Sequence, residues 1–369
     1  MNIYLPIYFF NVLNVSRVEL AFVQFLAYLA WFFQPLIAIY FDKERSNAKL
    51  LVIISAFGIF ISFVLFILNL SSLIIFGIFL AIFFVCASIL RVAINKLFVS
   101  CSPDDKSKGR NSAYMYVGSI TGALLPNVLA IMIFGDLYSL TLWNTFFLIG
   151  IVLVIPVIII SFMVRFDITD IGGIATENEI EKSEEVQIDR RVIFLLGVLY
   201  FLIWVGSLIQ YPMEPYIIDT YGVENLTLIL ILLGMVIILN AVGVILGGIF
   251  SNKLEKTKVL FVASLIYGVL LMIVPFMNLL LFFILIGIAN MCSGFIIVNT
   301  TVLMNEYSQK RVVYYQIIVL FGVLSVVIFL PLGTYLSAFI ATEILIIIAG
   351  VSKLFCLIPI LLLRRKINK

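Results

Sequence analysis

Long apolar segments of about 20 residues follow one another along almost the whole chain, and they limit what it can fold into. Hydrophobic residues make up 64% of the 369 residues, charged residues make up 12%, and the mean hydropathy is +1.24. A typical soluble domain is roughly 45–50% apolar and about 25% charged. This chain therefore has too little polar surface to cover a globule in water, which excludes a soluble enzyme and a disordered chain. The sequence predicts that a lipid bilayer is its main partner and solvent.

A helix that crosses the hydrocarbon core needs roughly 20 mainly apolar residues. The sequence predicts eleven spanning helices, at 18–41, 48–68, 72–99, 112–134, 140–164, 192–211, 226–250, 258–276, 279–303, 312–336 and 343–363. A further apolar segment, residues 1–13, is too short to cross. Residues 167–191 carry eight acidic and three basic residues and are predicted to form a solvated linker without a folded domain.

The placement of lysine and arginine predicts the orientation. If the linker is cytoplasmic, 20 of the 23 basic residues lie on its side of the membrane. Cytoplasmic loops are enriched in Lys and Arg, whereas acidic residues contribute little to this rule. The sequence therefore predicts a multi-pass protein of the plasma membrane with the linker and the C-terminus in the cytoplasm.

Several kinds of chemistry are excluded by the residues that the chain lacks. It has no histidine, its four cysteines are far apart, and it has no phosphate-binding loop of the GxxxxGK[ST] type. Metal sites and nucleophile pairs that use histidine are thereby excluded. We expect no metal, no cofactor and no enzymatic activity. The net charge of +3 is too small to indicate a nucleic-acid partner.

The chain shows a weak internal repeat. An offset of 209 residues aligns Pro6 with Pro215, and an offset of 201 aligns Tyr114 with Tyr315, each within a similar order of spans and basic loops. Membrane transporters are often built from repeated halves. The alternative is that any two hydrophobic hairpins align this well.

The repeat also accounts for the short first segment. Met1 aligns with Gln210, so the residues that would match 192–209 would precede Met1. We expect the chain to start halfway through its first helix, either because the true start lies upstream or because this is a shortened variant. With that half helix restored, the order is six spans, a linker and six spans.

The loop after the first long span carries a family resemblance. It contains Ala38, the pair Asp42-Lys43 and Arg45, and it resembles the corresponding loop of the major facilitator superfamily, although Arg45 stands where a glycine is expected. The resemblance implies a conformational latch formed by Asp42, Lys43 and Arg45. In the second half Ser251 replaces the acid, and short basic loops also follow from orientation alone.

Glycine-rich segments in two spans are similar to the family as well. The helix-packing candidates, which would allow close helix contact in lipid, are Gly118, Gly122 and Pro126 in one span and Gly243 and Gly247 in another.

The resemblance implies an all-α fold of two pseudo-symmetric six-helix bundles. The expected divisions are an N-terminal bundle at 1–165 with an incomplete first helix, a cytoplasmic linker at 166–191 and a C-terminal bundle at 192–369. It further implies a monomeric secondary transporter that moves a small-molecule substrate by alternating access, with a proton or cation as a candidate coupling partner.

Polar residues inside the predicted spans are the candidates for substrate binding, since polar groups in hydrocarbon usually face a cavity or one another. The set is Arg91, Asn95, Tyr114, Thr121, Gln210, Asn240, Asn290 and Asn299. Arg91 would hold an anionic group through its forked donors or extend to the headgroups. Each amide has an interhelical hydrogen bond as its alternative role.

Glu214 is the candidate for proton coupling, with a plain loop acid as the alternative. Two other functions remain open at this stage. One is a non-transporting relative that serves as a membrane sensor or partner. The other is an integral membrane transferase, which the scarcity of clustered acids disfavours.

Overall fold

The computed structural model describes residues 13–43, 48–68, 72–102, 105–133, 140–163, 189–210, 212–222, 226–251, 253–308 and 311–367. Within these ranges the regular structure is entirely helical, which confirms the predicted all-α class. The first six helices are α1 (Arg17–Tyr28), α2 (Gln34–Lys43), α3 (Ala48–Leu68), α4 (Leu73–Ser100), α5 (Asp105–Ile133) and α6 (Leu140–Met163). The others are α7 (Arg190–Trp204), α8 (Met213–Tyr221), α9 (Leu226–Phe250), α10 (Lys256–Ile273), α11 (Leu279–Tyr307), α12 (Val312–Leu336), α13 (Thr342–Phe355) and α14 (Leu357–Ile367).

The predicted spans coincide with these helices. Ten segments of the described residues are long and apolar enough to cross a membrane, and the 29-residue helix α5 covers the remaining predicted span. Helix α5 begins at Asp105 rather than at residue 112, because polar residues continue the helix beyond its apolar part. Helices satisfy all their internal backbone hydrogen bonds, as lipid requires. Residues 1–12 lie outside the described residues.

Two spans are interrupted by short 3-10 segments that the sequence analysis did not predict. The span that starts at Arg17 consists of α1, a 3-10 turn at Leu29–Phe33 and α2. The span that starts at Arg190 consists of α7 and a 3-10 segment at Val205–Ile209, and α8 follows shortly after it. Pro212 directly precedes α8, and proline lacks the backbone N–H that a continuous helix would use there.

The contacts between the helices follow the predicted repeat. Helix α3 packs against α4 and α6, and α10 packs against α11 and α13 in the same order. We call α1–α6 the first group of helices and α7–α14 the second group. Between the two groups, α1 and α2 pack against α12, and α5 packs against α9. In the predicted repeat, the contact of α5 with α9 corresponds to the contact of α1 and α2 with α12, with the two halves of the chain exchanged. The boundaries of the predicted divisions fall in or near residues that are not described, and they stay predictions.

Most of the described basic residues lie at one end of the bundle, which we call the basic end. Among the described residues, three ion pairs join helices there. Glu255 accepts a hydrogen bond from Arg364 at 2.8 Å, Asp189 accepts one from Lys366 at 2.7 Å, and Lys256 pairs with Glu306. They connect the starts of α7 and α10 to the ends of α14 and α11.

Two glycines permit a close helix contact in the second half. A Cβ atom on Gly243 would overlap the carbonyl oxygen of Met291, and one on Gly294 would lie 2.5 Å from the carbonyl oxygen of Asn240. Helices α9 and α11 therefore meet backbone to backbone, which brings many atoms into van der Waals contact in lipid.

We expect Gly243→Ala to lower the stability of the purified protein by about 1–3 kcal/mol, because the added methyl group meets backbone that cannot rotate away. Thermal unfolding in detergent, followed by tryptophan fluorescence, measures the effect. The matched control is Gly234→Ala on the same helix, where a Cβ would meet no described atom within 4 Å. Equal unfolding midpoints for the two variants would contradict the proposed backbone contact.

Candidate substrate site

A cavity of about 180 Å³ lies between the two groups of helices. One wall comes from the first group, through Tyr28, Trp31 and Arg91 on α1, the adjacent 3-10 turn and α4. The opposite wall comes from the second group, through α7 and α12, and its lining residues are Tyr200, Trp204, Gln210, Val319, Gly322, Val323, Val326 and Leu330. A solute in this cavity would touch both groups of helices.

Among the described residues that line the cavity, Arg91 is the one that carries a charge. Its side chain is half-buried, and the guanidinium carbon lies 6.0 Å from the ring centroid of Trp31. In the described part of the chain no ion pair involves Arg91. A guanidinium group presents five donors that suit a carboxylate or a phosphate, so the position favours an anionic group in the cavity.

Aromatic rings form much of the remaining wall. Tyr28 stacks on Phe84 with a centroid distance of 4.6 Å, and Trp31 meets the same ring edge-on at 5.2 Å. Across the cavity, the centroids of Tyr200 and Trp204 lie 6.1 Å apart. These rings fix the shape of the cavity and offer π faces to a cation or an apolar group of a solute.

Gly322 allows the second aromatic pair to lie against α12. A Cβ atom at Gly322 would overlap the ring of Tyr200 and would lie 2.8 Å from Cδ1 of Trp204. A larger residue at this position would displace both rings.

A further layer of contacts between the two groups of helices involves polar side chains on α5, α11 and α12. The hydroxyls of Tyr116 and Thr301 share a hydrogen bond of 3.0 Å between α5 and α11. The ring centroid of Tyr315 on α12 lies 6.0 Å from that of Phe98 on α4. The layer thus joins residues from both groups of helices.

The two groups also touch at each end of the bundle. At the end opposite the basic end, Arg17 donates a hydrogen bond to the carbonyl oxygen of Ser337, and Thr334 donates one to Gln24 at 3.1 Å. At the basic end, a Cβ on Gly248 would lie 2.7 Å from Cβ of Ala113 and 3.1 Å from the carbonyl oxygen of Gly109. Contacts of this kind have to break if either end is to open.

The structure places the predicted polar residues in three settings. Arg91 and Gln210 line the cavity. Asn95 is buried on α4, and Asn299 is fully buried on α11 with its amide donating to the carbonyl oxygen of Phe295. Asn240 donates to the carbonyl oxygen of Asn290 at 2.9 Å, and Asn290 donates within its own helix. The last three asparagines therefore use their amide groups for backbone contacts.

Tyr114 and Thr121 lie on an exposed face of α5, together with Gly118 and Gly122. A Cβ on either glycine would meet no described atom within 4 Å, whereas Gly243 and Gly247 face α11. With the offset of 201 residues this face of α5 is the counterpart of the cavity-lining face of α12, and the equivalent pairs are Gly118 with Val319, Thr121 with Gly322 and Gly122 with Val323.

Five of the predicted residues lie, wholly or with their side chains, outside what the structure describes. Arg45 lies outside the described residues. Asp42, Lys43, Pro126 and Glu214 lie in described helices, but their side chains are not described. The latch and the coupling residue therefore stay predictions.

Lys353 is a buried charge that lies away from the cavity. It is 3% exposed on α13 and donates a hydrogen bond to the carbonyl oxygen of Ile203, next to the point where α7 gives way to its 3-10 segment. Its ammonium nitrogen lies 5.1 Å from the ring centroid of Tyr267. This lysine provides an interhelical contact at the interruption of the span.

The comparisons with known proteins agree with this arrangement. The sequence profile of the Major Facilitator Superfamily matches residues 1–319. The chain belongs to this superfamily of membrane transporters. No curated protein matches the sequence.

Solved structures of superfamily members share the fold at low identity. The transporter FucP in its outward conformation aligns with a TM-score of 0.65 and 16% identity over 98% of this chain and 96% of that one. The human organic anion transporter MFSD10 aligns with a TM-score of 0.65 and 12% identity over 93% of this chain and 83% of that one. A variant of the E. coli fucose:proton symporter FucP aligns with a TM-score of 0.62 and 15% identity, covering 98% of each chain. The protein is thus a multi-pass member of the superfamily.

The sequence analysis did not identify the aromatic residues that line the cavity between the two groups of helices. Tryptophan is enriched at membrane interfaces, yet Trp31 lies near the middle of its span. That position, together with the helical spacing of Tyr28 with Trp31 and of Tyr200 with Trp204, is the signal that would have indicated them.

Proposed function

We propose that this superfamily member is a secondary transporter that carries a small anionic solute by alternating access through the cavity between α1, α4, α7 and α12. The observation that carries the proposal is Arg91, a guanidinium without a described ion-pair partner in an aromatic cavity shared by both repeats. A charge in the membrane is costly unless it is paired or serves a cavity. An anionic solute would supply the missing partner.

The proposed cycle uses the two sets of contacts around the cavity. Opening toward the basic end separates α5 from α9 at Gly248, and opening toward the other end separates Arg17 from Ser337. Rocking of two repeats about a fixed site near the bilayer centre is the usual mechanism of such folds. In this proposal the protein lies in the plasma membrane, and its basic end faces the cytoplasm.

Transport by purified protein in liposomes tests the function. Liposomes loaded with a mixture of small carboxylates, phosphate esters and neutral sugars are placed in the same mixture with an isotopic label, and exchange is followed by mass spectrometry. We expect at least one anion to exchange faster than in liposomes without protein. The proposal would be contradicted if no solute exchanged faster than in protein-free liposomes. It would also be contradicted if only neutral solutes exchanged faster.

Two further parts of the proposal come from the sequence alone. Glu214 is the proposed residue for coupling transport to a proton. The similar protein FucP is named as a fucose:proton symporter. Asp42, with Lys43 and Arg45, is the proposed latch. We expect Asp42→Asn to change cysteine labelling at the two ends of the bundle in opposite directions, and unchanged labelling would count against the latch.

A further inference from the structure

A second cavity, distinct from the one between the repeats, lies at the basic end on the outside of the bundle. It has a volume of about 630 Å³ and is bounded by the start of α7 and the end of α14. We call it the α7–α14 groove. Four of its lining residues are basic and three are apolar, namely Arg190, Arg191, Arg365 and Lys366 with Phe194, Leu195 and Leu362.

The groove carries an excess of positive charge. Lys366 pairs with Asp189 at 2.7 Å, and this hydrogen bond lowers the pKa of the Asp189 carboxyl group. In the described part of the chain no ion pair involves Arg190, Arg191 or Arg365, and all three side chains are exposed. Among the described residues, one carboxylate therefore faces four cations, which leaves the groove suited to a phosphate group.

The apolar part of the groove lies one helical turn deeper in the membrane. Phe194 follows Arg190 by four residues on α7, and Leu362 precedes Lys366 by four residues on α14, so each apolar side chain lies on the same helix face as a base. Phe194 is 58% exposed and Leu362 is 43% exposed. Exposed apolar side chains on a spanning helix meet acyl chains, so the groove crosses the boundary between headgroups and hydrocarbon.

We propose that the α7–α14 groove binds one anionic phospholipid. Its phosphate lies among Arg190, Arg191 and Arg365, and an acyl chain lies along Phe194 and Leu362. Basic pockets between spanning helices at the cytoplasmic side are suited to anionic headgroups. The groove has both the charge for the headgroup and the apolar wall for the chain, which favours a lipid over a free anion. Because α7 also carries Tyr200 and Trp204, the bound lipid would rest on a helix that lines the central cavity.

Native mass spectrometry of the full-length protein tests the site. The protein is incubated in detergent micelles that contain either phosphatidylglycerol or phosphatidylcholine. We expect a phosphatidylglycerol adduct of one lipid per protein in the wild type. R190Q/R191Q/R365Q is expected to reduce its occupancy at least about tenfold, whereas R190K/R191K/R365K is expected to retain it.

The matched control removes three exposed bases from the same end of the bundle outside the groove. These are Lys106, Arg110 and Lys253, and the variant is K106Q/R110Q/K253Q. We expect it to bind phosphatidylglycerol as the wild type does. An equal loss in both triple variants would show attraction to net charge alone and would overturn the proposal. If the glutamine triple variant does not fold, R365Q alone is expected to lower the occupancy, and wild-type occupancy in R365Q would overturn it.

A second arm separates a lipid from a free phosphate. F194Q/L362Q makes the apolar wall polar and is expected to weaken the phosphatidylglycerol adduct, whereas glycerol phosphate at the same concentration is expected not to displace it. Displacement by glycerol phosphate together with unchanged binding in F194Q/L362Q would show a site for the anion only and would contradict a lipid site.

Discussion

Replacing Arg91 by glutamine is expected to reduce the transport of the anionic solute roughly 10- to 150-fold, mainly by raising its apparent KM. A hydrogen bond to a charged group contributes about 1.5–3 kcal/mol, and each 1.4 kcal/mol corresponds to about a factor of ten in affinity. Among the described residues that line the central cavity, Arg91 is the one that carries a charge, so none of the others offers a second cation. Initial rates of solute exchange in liposomes give the KM.

Two variants separate the loss of binding from other effects. Arg91→Lys keeps the charge but loses the forked geometry, so we expect an intermediate KM. Arg110→Gln removes an exposed charge from the basic end and is expected to leave the KM unchanged. If Arg91→Gln transports with the wild-type KM, the cavity arginine does not bind the solute.

A leucine at Gly248 is expected to open the basic end of the cavity. The glycine faces Ala113 and Gly109 across the contact between α9 and α5, and a larger side chain there has no room while that contact is closed. Overpacking costs about 1–3 kcal/mol, which shifts a two-state equilibrium roughly 5- to 150-fold. The protein would then favour the state in which the two helices have separated at the basic end.

The accessibility of a cysteine measures this shift. Ser112 is fully buried on α5 next to the contact, and Ser112→Cys is introduced into a protein whose four native cysteines are replaced by serine. Gly248→Leu is expected to speed labelling by a membrane-impermeant maleimide. Gly234→Leu on the same helix, where a Cβ would meet no described atom within 4 Å, is expected not to change it. Equal labelling rates would show that this contact does not control access.

The fold could be predicted from the sequence to a large extent, because the bilayer leaves few solutions. Apolar segments of sufficient length have to be helices, and their order with the intervening linker indicates two repeats. The 3-10 segments at Leu29–Phe33 and Val205–Ile209 were not predictable in this way. Their positions depend on contacts with neighbouring helices, such as that of Lys353 with Ile203.

The candidate site could be predicted only in part. Arg91 and Gln210 were found because polar residues in a span are rare, and both line the cavity. The same reasoning selected Asn240 and Asn290, whose side-chain amides donate to backbone carbonyls. Cavity-lining aromatic residues could not be told from lipid-facing ones, because both are apolar and follow the same helical spacing. Only the packing of the helices distinguishes cavity-lining aromatic residues from lipid-facing ones.

Distances between spin labels at the two ends of the bundle test the central claim most directly. One pair, Val18→Cys with Phe339→Cys, spans α1 and the end of α12, and the other pair, Arg110→Cys with Lys253→Cys, spans α5 and α9 at the basic end. All four positions are exposed. The distances are measured by pulsed electron paramagnetic resonance on protein in liposomes, with and without the transported anion. We predict that one distance lengthens while the other shortens when the anion is added, and distances that stay fixed or change in the same direction would contradict alternating access.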